Sequence, residues 1–326
     1  MKIKTSQKII DYIKKNGQAT GNELADFLNI SDRAVRKQLN NLLENDSLYK
    51  NGKPPKVFYF IKKTSEAIVN DDDIAKDIKL IIDRDFLIIT PSGDKKEGLV
   101  GFKYWCAKNN FPLNKTAKEY FKTISKYDNY KKDGLISRIK KINNTFSEVY
   151  LDELFYLDFY SIERFGKTKL GQLLLYAKQS QNRILMKEII EYIKPSIDKI
   201  VKKFKVDGIG FIPPTVKREV QLMKVLDRGL NESIRKLSIS KIKTMVAVPQ
   251  KTLNKLADRI ENAKKTIVVE DNSKYKNILL IDDAVGSGAT LNETAKKIVE
   301  KKICKGKIIG VAITGSFNGF DVISEV

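Results

Sequence analysis

The 326-residue sequence contains no histidine at all. Imidazole general bases, Ser-His-Asp triads, haem axial histidines and most catalytic zinc sites are thereby excluded. Cysteine is nearly as scarce. Cys106 and Cys304 are the only two and stand far apart, so neither a disulfide framework nor a CxxC metal knuckle is available. No apolar run reaches the roughly 18 residues of a membrane span. The lysine-rich opening, residues 1–10, also lacks the continuous apolar core of a signal peptide. These absences lead to the expectation of a cytoplasmic protein in a reducing compartment, with no membrane partner.

What the chain has in excess is positive charge, 61 Lys and Arg against 40 Asp and Glu, for a net of +21. That balance favours nucleic acid or phosphorylated ligands. A lysine-rich composition alone gives the same number, so the motifs have to decide. At roughly 150 residues per domain the length suggests two or three domains.

Over residues 6–15, Ile9, Ile10 and Ile13 recur at helical spacing, and Gly17 follows as a stop. Thr20-Gly21-Asn22-Glu23 has the form of a capping box, in which Thr and Glu each satisfy an otherwise orphaned amide. The short helix it opens carries Leu24, Phe27 and Leu28. Ser31 is a second N-cap, and Val35, Leu39, Leu42 and Leu43 after it form one apolar stripe. The opposite face presents Arg33, Arg36, Lys37, Asn40 and Asn41, side chains suited to phosphates and base edges. Leu48-Tyr49-Lys50, an Asn51-Gly52 turn and Lys56-Val57-Phe58-Tyr59-Phe60 predict a β-hairpin with lysines at its tip.

Three short helices followed by a basic hairpin resemble a winged helix-turn-helix domain, and residues 31–39 resemble the recognition helix of bacterial winged-helix regulators. The resemblance implies duplex DNA as partner, contacted by Ser31, Arg33, Arg36, Lys37, Asn40, Lys50 and Lys53. It also implies a homodimer matched to palindromic sites. A winged helix that binds protein is the alternative.

The middle of the chain is less informative. Residues 63–73 end in three aspartates and suit a linker. Beyond them the pattern predicts a helix over 74–82, a strand over 86–90 and a turn at Pro91-Ser92-Gly93-Asp94. Further helices are predicted over 114–125 and 133–142. Phe102, Tyr104, Trp105 and Phe111 cluster beside lysines; they could stack on unpaired bases, but the commoner role is the core of a small domain. The acidic stretch 152–158 could bind metal, but the commoner role is a solvated face. No function is assigned to this region.

Chemistry concentrates near the end. Residues 278–281, Ile-Leu-Leu-Ile, read as a buried parallel strand, and Asp282-Asp283 stand at its carboxyl end, where open α/β sheets bind ligands. The loop Ala284-Val285-Gly286-Ser287-Gly288-Ala289-Thr290 follows, rich in small and hydroxylic residues, and then a helix. Small residues let backbone amides approach a phosphate, and the helix N-terminus adds a favourable field. The carboxylates can accept hydrogen bonds from two sugar hydroxyls, so the three parts together describe a site for a ribose 5-phosphate.

This pattern resembles the PRPP-binding motif of type I phosphoribosyltransferases. Upstream, Gly210-Phe211-Ile212-Pro213-Pro214, Arg228-Gly229-Leu230-Asn231-Glu232 and the series Gln250, Arg259, Asn262 are similar to ComF-like members of that family. Phe165-Gly166 to Lys178 resembles the Tyr-x-Gly…Lys segment before their first strand. By this resemblance Asp282 and Asp283 hold the ribose hydroxyls, and residues 284–290 wrap the 5′-phosphate. Pro213, Pro214 and Thr215 form the pyrophosphate turn, and Arg228, with Lys217 and Arg218, offsets its charge. Lys251 and Arg259 belong to a mobile hood. The implied cofactor is Mg2+, carried on PRPP rather than held by protein ligands. The resemblance does not reach purine salvage, because Gly286 stands where 6-oxopurine enzymes carry a base-deprotonating acid.

The expected architecture is α/β in three parts. A winged helix (α+β) occupies 1–62, a mixed, mostly helical region 63–160, and a doubly wound, ComF-like type I phosphoribosyltransferase fold 161–326. Two functions emerge as expectations. One is a transcriptional regulator responsive to PRPP or a related nucleotide. The other is an active phosphoribosyltransferase or nucleotide-cleaving effector. Winged-helix and phosphoribosyltransferase modules occur together in retron antiviral systems, where a reverse transcriptase–nucleic acid complex would be a partner.

Overall fold

Local capping sets the start of the chain. In α2 (Gly21–Leu28) the Thr20 side chain accepts from the Glu23 amide at 3.2 Å, and Glu23 accepts from the Thr20 amide at 2.8 Å. Asn29, at φ 50° and ψ 49°, ends α2 in the left-handed conformation that Asn tolerates. Ser31 then caps α3 (Asp32–Glu44) through the Ala34 amide. With α1 (Thr5–Asn16), these helices enclose Ile9, Ile13, Leu24, Val35, Leu39 and Leu42, all buried in one cluster. The strands β1 (Ala19–Thr20), β2 (Leu48–Lys53) and β3 (Lys56–Ile61) form an antiparallel sheet in the order β1-β3-β2.

The computed structural model describes residues 5–45, 47–53, 56–61, 74–216, 218–230, 233–242 and 248–317, without the side chains of Lys53 and Lys251. The expected linker at 63–73 lies outside them. The chain forms two compact units, Met1–Ser125 with Glu163–Gly166, and Lys126–Ile162 with Lys167–Val326. Neither ends at residue 62 or 160, the divisions expected from the sequence. Among the described residues there are twelve α-helices and a seven-stranded sheet, so the chain is mixed α/β.

In the first unit the hairpin differs from its expected form. Gly52 pairs with Val57 and Lys53 with Lys56, so Asn51 and Gly52 belong to β2 rather than to a turn. The aromatic cluster is core. Phe102 meets Phe86 edge-on at 5.0 Å and Tyr120 at 5.4 Å, and Phe60 of β3 meets Phe111 at 4.8 Å. Arg164 reaches the same core. Its guanidinium lies 4.4 Å from the Phe58 ring centroid, pairs with Glu119 and donates to Gln18 at 3.2 Å.

The large sheet of the second unit runs in the order Arg235–Lys236, Gly208–Phe211, Ile278–Val285, Ile308–Gly315, Glu153–Phe159, Leu135–Ser137, Lys131–Lys132. Its first five strands are parallel, and the last two join antiparallel. Two sequence expectations fail here. Residues 133–142 are not one helix: Asp133 and Gly134 take φ of 56° and 80°, the geometry of an Asp-Gly hairpin turn, and only Ile139–Thr145 is helical. The acidic stretch 152–158 is not a solvated face but a sheet strand. Leu154-Phe155-Tyr156-Leu157 is buried, as an inner parallel strand requires, while Asp152 accepts from the Ile308 amide at 2.7 Å and Asp158 pairs with Lys131 at 3.1 Å.

Close packing between the strands Ile308–Gly315 and Glu153–Phe159 gives a test. A Cβ at Gly315 would overlap the Tyr156 ring, whereas one at Gly21 has nothing within 4 Å. Gly315→Ala is therefore expected to lower stability by about 1–3 kcal/mol in urea denaturation. Gly21→Ala should change it by less than about 0.5 kcal/mol.

Candidate functional site

Ile278, Leu279, Leu280 and Ile281 are completely buried, and the strand they begin continues to Val285. This carries Asp282 and Asp283 to the carboxyl end of the sheet, next to the parallel strand Ile308–Gly315. Gly288 then turns at φ 88° to start the helix Ala289–Glu300, and no side chain caps the first turn from that position. A Cβ on Gly288 would come within 3.0 Å of Ile142, so backbone geometry and close packing both favour glycine there. Ser287 accepts from the Ala289 amide at 3.3 Å. From outside the loop, Lys141 donates to the Gly286 carbonyl at 3.4 Å and the Ser316 carbonyl at 3.3 Å.

A cavity of about 180 Å³ opens over this loop. Residues 282–290, the turn Pro213-Pro214-Thr215, Arg218 and Arg259 all line it, so the structure gathers these sequence-predicted residues in one place. Arg228 is not among the lining residues and is exposed on the helix Leu222–Gly229. Lys217 and the Lys251 side chain lie outside the described residues.

Two lysines complete the site. Lys178, on the last turn of the helix Lys169–Gln179, pairs with Asp283 at 2.8 Å. Lys241, ending the strand Ile239–Lys241, donates to the Thr215 hydroxyl at 2.6 Å. The sequence singles out Lys178 only through a family resemblance and carries no sign of Lys241, which sits in a lysine-rich stretch. Long-range chain folding, not local spacing, brings both to the carboxylates.

The electrostatics are those of charges withdrawn from water. Burial, and then the adjacent Asp283 charge, push the Asp282 carboxyl well above the usual carboxylate range, while the Asp283 amide donating at 2.8 Å and the two lysines act against this. Burial likewise draws the Lys241 ammonium down, against the attraction of both aspartates.

These residues form no all-protein cage for Mg2+. Among the described residues no group of three or more candidate ligand side chains occurs, and Asp283 already accepts from Lys178. A protein-held magnesium site requires oxygen ligands free to meet the ion.

In the first unit Ser31, Arg33, Arg36, Lys37 and Asn40 are exposed along α3, and Lys50 is exposed on β2, while Val35, Leu39 and Leu42 point inward. The Lys53 side chain lies outside the described residues. Arg36 lies close enough to Tyr59 of β3 to favour its phenolate, against the dominant effect of burial.

Residues 4–46 match the winged helix-turn-helix DNA-binding family, which supports DNA binding by this segment. No curated protein matches the chain. Among solved structures, a hypoxanthine phosphoribosyltransferase from Staphylococcus aureus is 12% identical, over 42% of this chain and 80% of that one. Its TM-score of 0.25 is too low for the likeness to bear on the fold or the function. No helix among the described residues is long and apolar enough to cross a membrane.

The raised Asp282 carboxyl has a consequence for stability. A carboxyl that holds its proton more tightly folded than unfolded costs stability as pH rises from the ordinary carboxylate range through its folded value. Asp282→Asn removes that cost. Its melting temperature should exceed the parent's at pH 8, by about 2–4 °C for each kcal/mol relieved. The difference should shrink toward pH 4.5. Equal or lower melting of the variant at pH 8 would refute this account of the site.

Proposed function

We propose that this chain is a DNA-binding transcriptional regulator whose second unit, a doubly wound fold of the type I phosphoribosyltransferase kind, binds PRPP or a related nucleotide. The observation that carries the reading is one cavity joining Asp282 and Asp283, the Gly286–Gly288 loop and the start of the Ala289–Glu300 helix, where Gly288 supplies no side chain. In this reading Asp282 and Asp283 accept from the ribose 2′- and 3′-hydroxyls. Backbone amides of residues 286–290 and the Thr290 hydroxyl take the 5′-phosphate. Arg218, Arg259 and Lys241 offset the charge of further phosphates through charge-assisted hydrogen bonds. On the DNA side, the exposed face of α3 enters the major groove, Lys50 meets the backbone, and two copies address a palindromic site.

Ligand can regulate DNA binding only by binding the DNA-competent and incompetent states with different affinity. A second reading is turnover at the ribose C1, in which the same carboxylate pair would hold the ribose in position. An antiviral effector would use the site in that way.

Two measurements test the proposal. Duplex binding followed by fluorescence anisotropy should fall steeply with salt, and Arg33→Ala/Arg36→Ala should flatten the log–log slope by about 2 while cutting affinity at least about tenfold. Unchanged binding by that double variant would remove α3 from the DNA interface. PRPP should shift the duplex affinity of the parent, and Asp282→Ala/Asp283→Ala should abolish the shift while leaving ligand-free DNA binding intact. Release of pyrophosphate on incubation with PRPP would select the enzymatic reading over pure sensing.

A further inference from the structure

This cavity, which offers no all-protein cage for Mg2+, is rich in positive charge. Lys178, Arg218, Lys241 and Arg259 line it, against the two carboxylates Asp282 and Asp283. With all six groups charged, the excess of two positive charges is close to what offsets a phosphate monoester near neutral pH. Lys178 and Lys241 differ from the two arginines in their relation to the carboxylates. Lys178 makes the 2.8 Å pair with Asp283, with both side chains mostly buried. Lys241 is held by Thr215, within the field of both aspartates.

We propose that the ammonium groups of Lys178 and Lys241 take the place of a divalent cation, so that this pocket binds a ribose phosphate or nucleotide in its metal-free form. The inference rests on the phosphorylated-ribose reading and sharpens its ligand. In a metal-dependent site the ligand arrives as a chelate, and the ion bridges its oxygens to the protein. Here such a chelate would add positive charge to a cavity that already has an excess. It would also have to displace Lys178 before reaching Asp283.

A metal-free anion meets neither obstacle. An ammonium has three donors, and Lys241 uses one on Thr215, leaving donors for ligand oxygens. Burying this lysine is costly without a close counter-charge, and a bound phosphate supplies one. The chain holds the lysine in place through the pairing of Lys241 with Ile267 and the hydrogen bond to Thr215 in the Pro213-Pro214-Thr215 turn. Its ammonium is thus placed before ligand arrives, as a bridging ion would be only afterwards.

The test is calorimetric titration of the full-length protein with ribose 5-phosphate and with PRPP, in EDTA and in Mg2+. Affinities for the parent protein should agree within about threefold between the two buffers. Lys178→Met and Lys241→Met should each lose at least about tenfold in EDTA, a difference of about 1.4 kcal/mol. Lys178→Arg and Lys241→Arg, which keep the charge, should retain most of the binding. Binding by the parent only in Mg2+ would overturn the substitution of ammonium for metal and leave the phosphorylated-ribose reading standing. Methionine variants that bind like the parent in EDTA, or arginine variants as deficient as the methionine ones, would also overturn it. Absence of binding in both buffers, by protein that still melts cooperatively, would remove both readings.

Discussion

Two neighbouring carboxylates follow the first four, wholly buried residues of a strand, and the second unit is arranged around that electrostatic problem. Asp282 and Asp283 repel one another, and burial penalises their charge further. The chain answers with cations drawn from distant elements: Lys178 from a helix more than a hundred residues earlier and Lys241 from a short strand. Neither lysine has a local reason to be where it is. Such clusters cost folding free energy, and a ligand with complementary charge and hydroxyls is what would recover it.

The first unit solves a different problem with a related device. Its winged helix has a small aliphatic core of its own, and Phe60 of the wing continues into the ring cluster of Phe86, Phe102, Trp105, Phe111 and Tyr120. Arg164 closes one side of that cluster, stacked on Phe58 and Phe111 and paired with Glu119. A guanidinium suits the position because its faces are weakly hydrated and its edge still donates hydrogen bonds. Burial pushes the Glu119 carboxyl upward despite Arg164, a sign of how dry the surroundings are.

Where structure follows from neighbours in sequence, the chain is readable from its residues alone. The Thr20 capping box, the Ser31 cap, the apolar stripe of α3 and the Ile278–Ile281 strand with its two aspartates all express short-range rules. The failures have equally physical causes. Asp133-Gly134 escapes notice as a hairpin turn because the flanking strands are too short to show alternation. The strand at residues 153–159 is hidden by carboxylates at its ends, which obscure the buried run between them. Asn51-Gly52 carries a turn signal, yet β2 runs through it because the register with β3 extends to Lys53. Of the site, the carboxylates, the loop and the proline turn are legible. Arg228, in the last turn of its helix, is exposed and lies outside the cavity lining. Lys178 and Lys241 depend on tertiary folding, which leaves no periodic trace.

Glu163–Gly166 belongs to the first unit although the chain on either side belongs to the second. The polypeptide therefore crosses from one unit to the other three times. The winged helix and its supporting helices are thus not a detachable cassette. A fragment ending at Ser125 would lack Arg164 and leave Glu119 without its ion-pair partner.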